Sequence, residues 1–167
     1  TSSINEGDIV TGGKTIILTM TDDVWIQYSA DLTAGGTVTS SGDNPPNETD
    51  DNAFDGNYFS KWLVFTATGW IQYRFAASAT HLVIAYAITS GNDEPTRDPK
   101  DWTLQGSNNG TDWTTVDTVT TESFASRNLR KVFVCDTPGS TAYEYFRLNV
   151  TANNGAAGLL QLSELEL

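Results

Sequence analysis

The stretch Ser90-Gly91-Asn92-Asp93-Glu94-Pro95-Thr96-Arg97-Asp98-Pro99-Lys100-Asp101-Trp102-Thr103-Leu104-Gln105-Gly106-Ser107-Asn108-Asn109-Gly110-Thr111-Asp112-Trp113 decides the fold. It opens as a polar loop with one arginine. Trp102–Gln105 then alternates apolar and polar side chains, the period of a strand with one covered face. A glycine-containing turn follows, and a second strand headed by Trp113 leaves it. Loop, strand, turn, strand within 24 residues is the grammar of an antiparallel sheet.

The same alternation recurs outward from this stretch, at Trp70–Phe75, Tyr145–Val150 and Leu160–Leu167. Each places apolar residues on one face and polar ones on the other. His81–Ile88 is a nearly continuous apolar run, the pattern of a central strand buried on both faces. No long stretch has helical period, and turn signals recur about every ten residues. The expected fold is all-β, an antiparallel β-sandwich of jelly-roll type spanning residues 33–167. Residues 1–32 carry two or three short strand patterns, Asp8–Val10, Lys14–Thr19 and Val24–Tyr28. They are expected to form a strand extension or ribbon packed on the sandwich.

A chain of 167 residues can bury one substantial core. Its formal charge of −12 excludes nucleic acid and anionic membrane as partners, since both require Lys and Arg against phosphates. Cys135 is the single cysteine and lies in the apolar run Lys131–Cys135, so it reads as a small buried hydrophobe. There is no transmembrane run and no leader, and the start at Thr1 reads as that of a piece cut from a longer protein.

Two constellations carry chemistry of their own. Asp55-Gly56-Asn57-Tyr58-Phe59-Ser60 sets oxygen-bearing side chains at short spacing in a tight loop, which suits a hard cation such as Ca²⁺. The Arg97 loop offers a planar fork of donors that can bridge adjacent sugar hydroxyls. Asn92 and Asp93 beside it add donors and acceptors, and a hydroxyl uses both. An Arg97–Asp98 salt bridge clamping the loop is the plainer alternative.

The Ser90–Trp113 stretch, the Ala53-x-Asp55-Gly56-Asn57-x-x-Ser60-x-Trp62 string and the final Leu162-Ser163-Glu164-Leu165-Glu166-Leu167 strand together resemble the discoidin, or coagulation factor 5/8 type C, domains. The resemblance runs from about Gly36 to Leu167. It implies a galactose-binding-like sandwich of the kind used as bacterial carbohydrate-binding modules. It implies a structural calcium held by Asp55, Asn57, Ser60 and Glu164, although Asn57 and Ser60 stand where Asp and Thr often occur. It implies sugar contacts from Arg97 and Glu48, and it brings the Asn153–Gly158 turn, with Asn153 and Asn154, to the same end of the sandwich. Trp62, Trp70, Trp102 and Trp113 match structural positions and are expected in the core. Trp25, Tyr28, Tyr58 and Phe59 remain as rings for the apolar face of a pyranose; Tyr58 and Phe59 sit in a turn where a core role is least expected, and Tyr58 is placed in the candidate site. The histidine that often assists galactose binding has no counterpart, because His81 opens an apolar run.

The sequence therefore points to a non-catalytic, secreted module that binds terminal galactose-type sugars of a plant polysaccharide or glycan. It would tether an attached catalytic domain, such as a glycoside hydrolase, to that glycan. Two alternatives stand beside this reading, a cell-surface adhesion or protein-binding domain of the discoidin kind and a small glycoside-active enzyme. One histidine and one cysteine leave no Cys-His pair, and a Ser-His-Asp triad would have to use His81. Membrane-binding relatives of this family show exposed apolar spikes beside basic residues and a disulfide closing the domain, and neither is expected here.

Overall fold

A computed structural model describes residues 16–19, 25–28, 31–136 and 140–167. The chain divides into two compact units, Thr1–Leu32 and Thr33–Leu167. In the first, β1 (Ile16–Thr19) and β2 (Trp25–Tyr28) form an antiparallel pair with Ile16 opposite Tyr28. The strand expected at Asp8–Val10 lies outside the described residues.

Among its described residues the second unit holds ten strands. They are β3 (Thr37–Ser40), β4 (Trp62–Val64), β5 (Gly69–Arg74), β6 (Ala85–Thr89), β7 (Pro99–Ser107), β8 (Thr114–Val119), β9 (Arg130–Val134), β10 (Tyr145–Asn153), β11 (Leu160–Leu162) and β12 (Glu164–Glu166). One layer is the five-stranded antiparallel sheet β3-β5-β10-β7-β8. The other joins β12-β6-β9 to β11-β4, because β11 and β12 are separated only by Ser163. This is the antiparallel sandwich that the alternating segments require.

Alternation decides which side chains enter the core. Ile71 and Tyr73 of β5, Trp102 and Leu104 of β7, and Phe146, Leu148 and Val150 of β10 are all buried. They meet Trp62, Tyr86, Ile88, Leu160, Leu162 and Leu165 of the other layer, which are buried as well. Polar tips in this core are satisfied across the layers. The Trp102 indole donates to the Tyr86 hydroxyl at 2.8 Å, and that hydroxyl donates to Asp117 Oδ2 at 2.7 Å. Cys135 is buried, and burial pushes its thiol up to about 12, so it stays an unreactive hydrophobe.

Four expectations are corrected. Trp62 and Trp102 are core residues, but Trp70 and Trp113 are half-buried on the outer face of the five-stranded sheet. Trp70 precedes Ile71, so pleating turns it away from the core. The His81–Ile88 run is not one central strand. His81 makes an isolated bridge to Tyr143, Leu82 is exposed, and β6 begins only at Ala85. The polar side of Leu160–Leu167 does not face water, since Gln161, Ser163, Glu164 and Glu166 are all buried. Glu166 is matched by a two-pronged bond from Arg130, at 2.8 and 2.9 Å. Exposed apolar spikes do exist, at Phe59 and Phe65, which are 80% and 63% exposed.

Candidate functional site

Three connections meet at one end of the sandwich. They are the β3–β4 loop (residues 41–61), the β6–β7 loop (residues 90–98) and the β10–β11 turn (residues 154–159). Backbone bonds tie them together. Asn154 N donates to Asp98 O at 3.0 Å, and Ala156 N donates to Thr96 O at 3.0 Å. The β3–β4 loop joins through Asn92, whose amide donates to Phe59 O at 3.0 Å. Gly91 is needed here, because a Cβ would lie 2.4 Å from the Gln161 amide nitrogen beneath it.

A chain of charges crosses this rim. Lys61 Nζ lies 3.3 Å from Glu48 Oε1 and 2.7 Å from Asp93 Oδ2. Asp93 Oδ2 in turn faces Arg97 NH1 at 3.4 Å. Glu48 and Arg97, 49 positions apart in the sequence, thus stand on one edge, coupled through Lys61 and Asp93. Glu48 is held further by Asn44, whose amide donates to Oε2 at 2.5 Å. Burial pushes the Asp93 carboxyl up, but hydrogen bonds from Lys61 and Gln161 and the Lys61 charge outweigh it. It therefore sits below its ordinary value and stays ionised. Lys61 is only 5% exposed, so it works as an internal counter-charge, leaving the outer edges of Glu48, Asp93 and Arg97 to face a ligand. Its role was not legible in the sequence, where it is one basic residue between Ser60 and Trp62.

The alternative of an Arg97–Asp98 clamp gives way to a different pair. Asp98 is fully buried and receives a two-pronged bond from Arg127, NH1 to Oδ1 at 3.0 Å and NH2 to Oδ2 at 2.5 Å. Gly91 N also donates to Asp98 Oδ1 at 3.3 Å. The β6–β7 loop is therefore pinned from beneath by Arg127, and Arg97 is released to the surface. Burial raises the Asp98 carboxyl, and Arg127 offsets only part of that.

The remaining candidates divide by the work their side chains already do. The Asn153 amide donates to Ala156 O and Leu159 O, at 2.8 and 2.6 Å. The Asn154 amide donates to Asp98 O and Pro99 O, at 3.2 and 3.1 Å. Both shape the rim by holding backbone. Tyr58 is half-buried and its carbonyl accepts from Asn128, whereas the Phe59 ring stands free in solvent beside Asn92. Phe59 is the aromatic that the rim presents.

Behind the rim lies the second constellation. Asp55 Oδ1 accepts from Asn57 N at 2.7 Å, Asp55 Oδ2 accepts from Ser60 Oγ at 2.7 Å, and Ser60 Oγ also contacts Asn57 O at 2.8 Å. Glu164 reaches the same loop from the opposite end of the chain. It is 1% exposed, and its Oε1 has no hydrogen-bond partner. Burial pushes the Glu164 carboxyl up to about 8. The hydrogen bond and negative charge of Asp55 add to this, while the Asn57 backbone pulls the other way. A buried carboxylate with an orphaned oxygen, turned toward a second carboxylate, is an arrangement that a cation completes. Among the described residues no group of three or more His, Cys, Asp or Glu gathers in this way, so backbone and hydroxyl oxygens would have to fill the set.

Comparison with known proteins identifies the family and the fold. The F5/8 type C domain family matches residues 37–165. A peptide-N(4)-(N-acetyl-beta-glucosaminyl)asparagine amidase from Arabidopsis thaliana is 39% identical over 136 residues, or 79% of this chain. The chain spans about a fifth (19%) of that protein's length. Among solved structures, the family 32 carbohydrate-binding module of Streptococcus pneumoniae EndoD aligns with a TM-score of 0.66 at 17% identity, covering 82% of this chain and 97% of its own. The family 32 module of C. perfringens NanJ, solved with galactose, aligns at 0.63 and 18%, covering 81% and 94%. A chitosan-binding module from Paenibacillus sp. IK-5 aligns at 0.64 and 24%, covering 81% and 96%. From the match over residues 37–165 and the sandwich that carries it, the chain belongs to the F5/8 type C domain family.

Proposed function

We propose that this protein is a non-catalytic carbohydrate-binding module whose rim takes terminal sugars, galactose-type first among them. The observation that carries this is the convergence of Glu48, Asp93 and Arg97 on one edge beside the exposed ring of Phe59. Arg97 would donate to neighbouring ring hydroxyls, Glu48 and Asp93 would accept from them, and Phe59 would pack on the apolar face of the pyranose. Lys61 sets the two carboxylates at a fixed separation without competing for the ligand. The solved neighbours named for galactose and chitosan support a sugar as the partner. Affinity for one or two sugar units in so open a site would fall between millimolar and micromolar, about 4–8 kcal/mol.

Such a module gains its value from attachment, because an enzyme joined to it works at raised effective concentration on the glycan. The relative from Arabidopsis thaliana is named for action on a glycan–asparagine linkage and extends far beyond the matched region, which supports an attached catalytic domain. Secretion accords with the acidic surface, and no helix of the described residues is long and apolar enough to cross a membrane. Phe59 and Phe65 give the adhesion alternative some substance. Phe59, however, meets Asn92 through its carbonyl, next to the acidic Asp93, in a chain of net charge −12, so an anionic membrane is disfavoured.

Calcium would be held by Asp55 and Glu164 with oxygen atoms of Asn57 and Ser60, fixing the β3–β4 loop against the last strand. Chelation with EDTA is expected to lower the melting temperature by several degrees, and an unchanged melting curve would remove the ion from the proposal. The metal-free protein should also show a definite pH trend. The folded value of Glu164, about 8, lies above the ordinary 4.5, so folding binds a proton between those limits. Stability is then lost as pH rises from about 5 to 8. Bound calcium keeps Glu164 ionised and should flatten the trend, which thermal melts with and without the ion at pH 5, 6.5 and 8 will reveal.

Phe59→Ala is expected to weaken galactose binding about threefold to tenfold, the usual worth of one stacked ring. The melting temperature should hold, since the ring is 80% exposed. Equal affinity in the variant would dismiss Phe59 as the platform.

A further inference from the structure

We propose a second glycan-binding surface on the outer face of the five-stranded sheet, centred on Arg147 between Trp70 and Trp113 and suited to a sugar chain bearing carboxylates. It lies on a different part of the sandwich from the rim and does not depend on the rim binding a sugar.

The Arg147 guanidinium lies 5.8 Å from the Trp70 ring centre and 4.0 Å from that of Trp113, a stack of indole, cation and indole across β5, β10 and the start of β8. Gln105 Oε1 fixes its orientation by accepting from Nε at 3.0 Å and from NH2 at 2.8 Å. NH1 keeps its donors. The other four arginines each face a carboxylate, Arg74 with Glu144, Arg97 with Asp93, Arg127 with Asp98 and Arg130 with Glu166. Arg147 has no acidic partner among the described residues, in a chain with 21 acids and nine basic residues. A cation held rigidly and left unpaired in so acidic a protein is complementary to an anion supplied from outside.

The surroundings point to a saccharide as the carrier of that anion. In the sheet register Gln72 lies opposite Arg147, and Asn149 lies opposite both Trp70 and Thr103. The side chains of Gln72 and Asn149 make no hydrogen bond among the described residues, and the Thr103 hydroxyl is buried without a partner. Two half-exposed indoles and two free amides on neighbouring strands match what a pyranose chain presents, apolar ring faces edged with hydroxyls. Beyond Trp70 the face runs into a depression of about 480 Å³ lined by Ser41, Thr66, Thr68 and Thr151, which extends the hydroxyl-bearing surface for further units. A peptide adding as a strand needs a sheet edge, whereas Trp70, Gln72, Arg147 and Asn149 lie on β5 and β10, inner strands of the sheet, and this is a face.

The experiment is calorimetric titration of the protein with oligogalacturonate and oligomannuronate at about 0.15 M salt, where the −12 net charge is screened beyond roughly 8 Å, with neutral galacto-oligosaccharide run in parallel. Binding of at least one uronate is expected, weakened about tenfold or more by Gln72→Ala combined with Asn149→Ala, and by Trp70→Ala. It should be unchanged in Arg97→Ala. The Gln72/Asn149 pair leaves the indole–guanidinium stack intact, so its effect stands even if Trp70→Ala fails to fold. Arg147→Lys, which keeps charge but not the fork, should also weaken uronate binding. Absence of heat with both uronates, equal affinity of the Arg97→Ala variant for the neutral chain and the uronates, or loss of uronate binding in Arg97→Ala with retention in the Gln72/Asn149 variant would each overturn the assignment.

Discussion

Arg97→Ala is expected to abolish the heat of galactose binding while leaving the melting temperature nearly unchanged. Arg97 meets only Asp93, itself half exposed, at 3.4 Å, and a surface pair of that kind contributes about 1 kcal/mol or less to stability. Its contribution to a small ligand is much larger, because a fork of donors to two hydroxyls is a substantial part of a total near 4–8 kcal/mol. Losing it takes a weak complex below detection. Titration with galactose, arabinose, xylose and mannose, with a melting curve of the same variant, separates the outcomes. Full binding by the variant would move the sugar elsewhere on the molecule. A large drop in melting temperature would make Arg97 a clamp and not a contact.

The opposite pattern is expected at Arg127, the partner of the adjacent Asp98. Arg127→Ala should cost about 3 kcal/mol or more in denaturant unfolding, since it strands the fully buried Asp98 carboxylate beneath the β6–β7 loop. The cost should depend on pH. Without the guanidinium, the folded value of Asp98 rises further above its unfolded one, so protonation spares the variant at low pH and the penalty grows as pH rises. Asp98 also anchors Gly91 and, through its carbonyl, Asn154. The variant should therefore lose sugar affinity although Arg127 lies beneath the rim, and Arg127→Ala combined with Asp98→Asn should recover part of the stability. A loss that is the same at pH 5 and pH 8 would rule out the stranded carboxylate as its cause.

The contrast between Arg97 and Arg127 shows how far local sequence reaches. Arg97 and Asp98 are adjacent, and adjacency suggested a pair. Arg97, however, ends the short 3-10 turn Pro95–Arg97, and the backbone becomes extended only at Asp98, so Asp98 turns inward to Arg127 and Arg97 turns outward. Pleating also separates Trp70 and Trp113 from Trp62 and Trp102. For Trp70 the signal was available, because the Ile71, Tyr73, Phe75 face can be core only if Trp70 is not. Leu160–Leu167 offered no such signal. Its alternation is the same whether the polar side meets water or a second set of residues, and only Arg130 and the Asp55 loop settle that it is buried. The aromatic of the rim was open in the same way, with Tyr58 and Phe59 equivalent as letters until Asn128 and Asn92 fixed their carbonyls.

The sequence by itself determined the antiparallel sandwich, through period-two alternation broken by turns. It also placed Glu48 and Arg97 among the candidate contacts, through motifs that survive as local strings. Only the tertiary structure decided that Lys61 couples those two residues, that Arg127 and not Arg97 holds the loop, and that Arg147 meets no carboxylate among the described residues. The physical reason is that alternation is a property of neighbours along the chain. Charge pairing, desolvation and orphaned polar groups depend on residues tens of positions apart, which meet only when two layers close over a shared core.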